Sequence, residues 1–213
     1  PMSFSREFEL LSSGDLLALS SAFSHYRHKS GLEVFCLENS DRENLFAINF
    51  STPASDDTGL PHILEHCVLS GSAKYPCTDP FVELLKSSLA TFLNAFTYND
   101  RTVYPVCSCN EKDFFNLIEV YWDAVFHPLL DEEAFLREGW HYETLKNRLG
   151  NNSLLLNGIV FNEMSSAYSE LESVLDRATY KYLLPGSALA FDSGGNPDKI
   201  PFLTYENFFQ YYK

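Results

Sequence analysis

Gly59-Leu60-Pro61-His62-Ile63-Leu64-Glu65-His66-Cys67-Val68-Leu69 reads as a helix with a metal-binding face. Pro61 falls in the first turn, where a missing amide hydrogen costs nothing, and Gly71 follows as a stop. His62 and His66 are four apart, so their imidazoles lie on one face and can reach a single ion. Zinc accepts neutral imidazole nitrogens, and a catalytic zinc keeps one position open for water. Glu65 precedes His66 by one residue, which sets it beside such an ion as a base rather than on it as a ligand. The rest of the stretch is apolar (Leu60, Ile63, Leu64, Cys67, Val68, Leu69). Burying two histidines and a glutamate in that company is costly unless a metal compensates.

Strand signals precede this helix. Ala22–His28, Glu33–Glu38 and Leu45–Ser51 are short and rich in β-branched and aromatic residues, with Ser30-Gly31 as a turn between the first two. Thr52–Asp57, with Pro53, is a polar connection. Beyond the helix, Asp79-Pro80 predicts the cap and first turn of a second one, with Phe81, Leu84, Leu85 and Leu89 on its apolar face. Ala95–Val106 reads as one strand. Asn110 caps a helix carrying Phe114, Leu117, Ile118, Tyr121 and Val125, which Pro128 ends. Asp131 opens another helix through about Lys146, Asn151-Asn152 make a turn, and a long helix runs from Asn157 to Leu183. Gly186–Pro197 is a loop, and Thr204 caps a last helix. Strands followed by runs of helices predict an α+β fold, a mixed or antiparallel sheet packed with several helices. The aromatic close, Phe208-Phe209-Gln210-Tyr211-Tyr212, leads us to expect a truncated domain.

Among 213 residues, 15 Lys and Arg face 29 Asp and Glu, for a net charge of −14. That balance argues against nucleic acid, whose phosphates need basic clusters, and suits either a solvated acidic surface or basic ligands. No apolar run reaches the roughly 18 residues of a membrane span. The five cysteines (Cys36, Cys67, Cys77, Cys107, Cys109) form no disulfide pattern and read as reduced thiols. We therefore expect a reducing compartment. The odd cysteine count with no leader in view favours a bacterial cytoplasm; a mitochondrial or plastid matrix is the alternative that the family resemblance described below implies. Cys67 and Cys77, beside the metal helix, read as inert small hydrophobes rather than redox switches. His25 and His28, three apart in a strand, point to opposite faces, and His127 and His141 read as structural.

Three stretches carry a family signature: GLPHILEHCVLSGSAKYPCTDPF, then ATFLNAFTYNDRTVYPV, then GIVFNEMSSAY. In that order they resemble the presequence protease and falcilysin branch of the pitrilysin-type zinc metallopeptidases, with the inverted HxxEH motif. The resemblance implies a third zinc ligand at the glutamate of Asn162-Glu163-Met164, 97 residues beyond His66. Two imidazoles and one carboxylate leave a Lewis-acidic ion. Glu170, seven residues further along the same expected helix, would support Glu163, although plain exposure of Glu170 and Glu172 is the simpler reading. Asn94-Ala95-Phe96-Thr97 resembles the edge strand on which the family binds peptide as an added strand. Asn94 would then orient the scissile carbonyl and Phe96 line a side-chain pocket; Phe96 reads equally well as core.

The resemblance implies a zinc-dependent endopeptidase for unstructured peptides, basic ones among them, with His62, His66 and Glu163 as ligands and Glu65 as base. Residues 1–213 would be the N-terminal zinc-binding domain of a larger clamshell, incomplete and inactive alone, with the C-terminal half of the same enzyme as its partner. The rival is a non-catalytic pitrilysin-like scaffold, but such modules typically lose the motif residues that are all present here. A structural zinc is disfavoured because it usually takes four protein ligands.

Overall fold

In the computed structural model, which describes residues 7–78, 80–146 and 152–213, the chain forms two compact units, residues 1–42 and 43–213. The first is an antiparallel sheet of β1 (Phe8–Leu16), β2 (Ser21–His28) and β3 (Glu33–Glu38), in that order. The expected strands and the turn at Ser30-Gly31 are present, with Gly31 at φ +94°. β1 went unread because its alternation is broken by Ser12-Ser13-Gly14, just after a register shift between Leu10 and Ser12.

The second unit is built on β4 (Asn44–Ser51) and β7 (Arg101–Ser108), paired antiparallel from Asn44–Ser108 to Ser51–Arg101. The other edge of β7 takes β5 (Ala90–Leu93) and then β6 (Phe96–Thr97). The expected single strand Ala95–Val106 is thus a hairpin. Tyr98 N–H bonds to the Arg101 carbonyl at 2.8 Å, and Asn99-Asp100, residues that favour turns, sit between the strands.

Helices cover this sheet. α1 (Leu60–Val68) follows Gly59, which takes the left-handed conformation at φ +71°, and seven of its nine residues are buried. Its Ile63, Leu64, Cys67 and Val68 join Val106 and Tyr104 of β7 in one core with Leu117, Tyr121 and Val125. Those last three belong to α3 (Glu111–Phe126), capped by Asn110 through the Asp113 amide as expected. α2 (Pro80–Ser87) begins where the sequence placed it; its cap residue Asp79 lies outside the described residues.

Two expected helices are corrected. α4 (Glu132–Glu138), capped by Asp131, ends at Gly139 rather than at Lys146, and His141–Lys146 forms β8, which pairs with β9 (Asn152–Asn157). Gly139 is the stop signal that was read through: a Cβ there would lie 2.8 Å from the Phe135 carbonyl oxygen. Of the expected turn, Asn151 lies outside the described residues and Asn152 opens β9. The long helix Asn157–Leu183 is two, α5 (Ile159–Ala167) and α6 (Leu171–Leu183). Ser169 explains the break. Its amide and its hydroxyl both bond to the Ser166 carbonyl, at 3.0 and 2.6 Å, which closes the helix locally instead of extending it. α7 (Tyr205–Tyr212) carries the expected Thr204 cap and buries Phe208. Outside these elements, the Gly186–Pro197 loop holds one short 3-10 turn.

Gly158 joins β9 to α5 with φ and ψ both +150°, a region only glycine enters freely. A Cβ there would collide with the Gly139 carbonyl and sit 2.8 Å from Trp140 Cα. Gly158→Ala should therefore lower stability by about 1–3 kcal/mol, read as a drop in melting temperature by circular dichroism. An unchanged melt would show that the junction yields without cost.

Candidate metal and peptide site

Each imidazole of α1 is held by its Nδ1. His62 Nδ1 lies 3.1 Å from the Gly194 carbonyl oxygen, and His66 Nδ1 lies 3.2 Å from Glu138 Oε2. A carbonyl and a carboxylate can only accept, so both Nδ1 atoms carry hydrogen, and in the neutral ring each Nε2 then presents a lone pair. Those lone pairs face a common third group. Glu163 Oε2, from α5, is 3.7 Å from His62 Nε2 and 3.8 Å from His66 Nε2. One ligand atom from each of His62, His66 and Glu163 lies within 4.8 Å of the others, a group that could hold a metal ion. Two neutral imidazoles and a carboxylate are a fitting donor set for zinc.

Glu65 is buried beside this group, 9% exposed, and its Oε2 accepts a 2.6 Å hydrogen bond from the Thr97 hydroxyl of β6. A groove of about 550 Å³ opens over His62, Glu65, His66 and Glu163, with Asn94 to Thr97 along one wall. Asn94 Oδ1 accepts from the Ala95 amide at 2.9 Å, and Asn94 holds the bend between β5 and β6. Ala95 is buried, whereas Phe96 is half exposed and stacked near Phe92 and Tyr98. A second hollow of about 240 Å³ lies beside Glu65 and His66, walled by Leu69, Phe81 and Ile159. All the expected site residues but one therefore meet at this groove. The exception is Glu170. Because the helix breaks after Ala167, Glu170 is an exposed residue at the cap of α6 and not two turns along the face of Glu163.

The residue that sequence reasoning missed is Glu138, in the last turn of α4 and 7% exposed. Besides His66, it accepts from Arg137 Nε at 3.0 Å and Ser70 Oγ at 3.2 Å. An acidic residue at a helix C-terminus opposes the helix dipole, which is the local oddity that could have marked it. Burial alone would raise its pKa, but hydrogen bonds from His66 and Arg137 hold the carboxyl below its ordinary range. Burial opposes charge on His66 too, yet the Glu138 hydrogen bond and the charges of Glu65, Glu138 and Glu163 raise its pKa. Cys67, one residue on, is pushed well up by burial and stays a thiol.

With fold and site in view, the comparisons place the chain: it belongs to the insulinase family, peptidase family M16, whose profile matches residues 52–173. Within that family it is similar to presequence protease 1, chloroplastic/mitochondrial, of Arabidopsis thaliana, 47% identical over 209 residues, 97% of this chain and 19% of the relative. It is 46% identical to protein HypA of Clostridium perfringens over 97% of this chain and 21% of that one. To the mitochondrial presequence protease of Xenopus tropicalis it is 46% identical, over 86% and 18% respectively. The chain thus spans about a fifth of the length of the curated relatives it matches. The crystal structure of pitrilysin shares its fold at a TM-score of 0.68 and 19% identity, over 98% of this chain and 21% of that one. No helix among the described residues is long and apolar enough to cross a membrane.

The His66–Glu138 pair makes stability depend on pH. The raised His66 pKa contributes stability below its ordinary 6.5 that is lost as pH rises through the folded value. The lowered Glu138 pKa contributes above its ordinary 4.5 and is lost as pH falls through the folded value. With a chelator present, Glu138→Gln should therefore lower the melting temperature most between the ordinary carboxyl and imidazole values of 4.5 and 6.5, and progressively less as pH rises through the raised His66 value. A pH-independent difference would mean that the pair is not ionised in the fold.

Proposed function

We propose that this chain is the N-terminal, zinc-binding portion of a peptidase that hydrolyses unstructured peptides. The observation that carries the reading is the convergence of two Nδ1-anchored imidazoles on Glu163, with Glu65 held beside them by Thr97. His62, His66 and Glu163 would hold the metal. When bound, a zinc ion supplies Lewis acidity, lowering the pKa of water to about 7 and polarising a carbonyl.

The chain's own residues do the rest. Thr97 occupies Glu65 Oε2, which leaves Oε1 to take a proton from the attacking water. The same carboxyl then returns that proton to the leaving amine. Among the described residues β6 pairs on one side only, with β7, so its open edge can bind a peptide backbone as an added strand. Backbone pairing holds peptides of many sequences, which suits a degradative enzyme. Asn94 would donate Nδ2 to the scissile carbonyl region, with Phe96 flanking one side chain and the Leu69–Phe81 hollow taking another. The net charge of −14 and the relatives named as presequence proteases favour basic peptides, targeting segments being Arg-rich and poor in acidic residues. In such an enzyme the remaining four-fifths would enclose the groove, and we expect this chain alone to show no turnover.

The test is zinc content per chain after dialysis against trace zinc, for the wild type, Glu163→Gln and Glu65→Gln. Wild type and Glu65→Gln should hold near-stoichiometric metal, and Glu163→Gln should lose it. In the protein at the full length of its relatives, Glu65→Gln should lower cleavage of a quenched fluorescent peptide by ~10²–10⁴-fold. Zinc unaffected by Glu163→Gln would remove Glu163 from the ligand set, and unchanged cleavage by Glu65→Gln would remove the base.

A further inference from the structure

His62 is oriented by a backbone carbonyl 132 residues away, and that carbonyl sits in a loop which one carboxylate organises. Asp192 Oδ1 accepts the Gly194 amide at 3.0 Å. Asp192 Oδ2 accepts the Tyr168 hydroxyl at 2.8 Å and Arg177 Nε. The guanidinium carbon of Arg177 stands 4.3 Å over the Tyr168 ring, so the two donors are also packed on each other. Burial raises the Tyr168 pKa far above the working range, which keeps its hydroxyl a donor. The Asp192 amide is fixed in turn by Asp57 Oδ1 at 2.8 Å, just ahead of α1.

Sterics close the loop from the other sides. A Cβ on Gly59 would lie 2.6 Å from the Gly194 oxygen, and a Cβ on Gly195, at φ +102°, would lie 2.8 Å from Gly59 Cα. A Cβ on Gly194 would lie 2.8 Å from Met164 Cε, the residue after Glu163. Ser193, 4% exposed, donates to Asn99 Oδ1 at 3.2 Å. The loop is therefore wedged between the start of α1 and the Glu163 turn of α5. Two hydrogen bonds then set the turn that presents the Gly194 carbonyl: the Gly194 amide to the Asp192 carboxylate, and the Gly195 amide to the Asp192 backbone carbonyl at 3.1 Å.

We propose that Asp192 is a positioning residue for the metal site: held by Tyr168 and Arg177, it aims the Gly194 carbonyl at His62 Nδ1 and so presents Nε2 to the ion. The proposal rests on the zinc reading above and extends it to a carboxylate that touches neither metal nor ligand. Three donors converge on the two oxygens. An asparagine cannot serve them all. Its NH2 must face either the Gly194 amide, which frees the loop, or the Tyr168–Arg177 pair, which loses the Arg177 bond that holds the side chain in place.

The test measures zinc affinity of the 213-residue chain by competition with a chromogenic chelator, for wild type, Asp192→Asn and Tyr168→Phe. Outer partners of ligating histidines are typically worth ~10–100-fold in metal affinity. Asp192→Asn should weaken zinc by ~10–100-fold and Tyr168→Phe by several-fold. The cobalt-loaded Asp192→Asn chain should also show a shifted visible spectrum, which reports ligand geometry and which a general loss of stability would not move. Wild-type affinity and spectrum in both variants would overturn the proposal. Should Asp192→Asn fail to fold, Tyr168→Phe decides alone, wild-type affinity overturning the proposal and weakened affinity supporting it. A wild-type chain that binds no zinc would sink the functional reading itself, a result distinct from the others.

Discussion

An imidazole buried in an apolar helix needs a partner for each ring nitrogen, and the larger unit is arranged around meeting that need twice. α1 buries His62 and Glu65, and half-buries His66, beside Ile63, Cys67 and Val68, so their anchored polar atoms have little access to bulk water. The partners come from distant parts of the chain. The loop after α6 supplies the Gly194 carbonyl, the end of α4 supplies Glu138, and β6 supplies the Thr97 hydroxyl for Glu65. Each fixes one atom and frees another, so the free atoms all face the same groove.

The two histidines are anchored by groups of different kinds. His62 has a neutral carbonyl, rigid because its loop is wedged against Gly59. His66 has a carboxylate, which adds negative charge behind the ring and makes Nε2 a stronger donor to a cation. Arg137 and Ser70 share the other oxygen of Glu138, so the charge is spread over three hydrogen bonds and its burial is tolerated.

How much of this was legible in the sequence follows from range. The spacing of His62, Glu65 and His66 needs only the helix period, and the caps at Asn110, Asp131 and Thr204 need only three residues of context; all stand where expected. Glu163 was legible only through family resemblance, because nothing local separates it from any exposed helical glutamate. Glu138, Asp192 and Gly194 were not legible, since their roles depend on which distant segments pack together. The two misread helices share one cause. Helical propensity was carried through Gly139 and through the serines of Ser165-Ser166-Ala167-Tyr168-Ser169, where local geometry and side-chain competition end the helix. The second of these errors also produced the expectation for Glu170.

The freedom of the four site residues differs, and the difference has a structural origin. His62, Glu65 and His66 share one helix, so their spacing is set by its period. Glu163 comes from α5 and is 55% exposed at its side chain, so its place depends on how α5 docks. That docking runs through Val160 and Met164, both buried, and through the Gly158 junction, where Phe161 N–H bonds to the Gly139 carbonyl at 3.3 Å. Gly139 directly follows Glu138. One backbone crossing thus fixes both the carboxylate behind His66 and the helix that brings Glu163 in front of it. A shift at the Gly139–Gly158 contact would therefore move an anchor and a candidate ligand together, which makes this crossing, outside the groove itself, the joint on which the site's geometry turns.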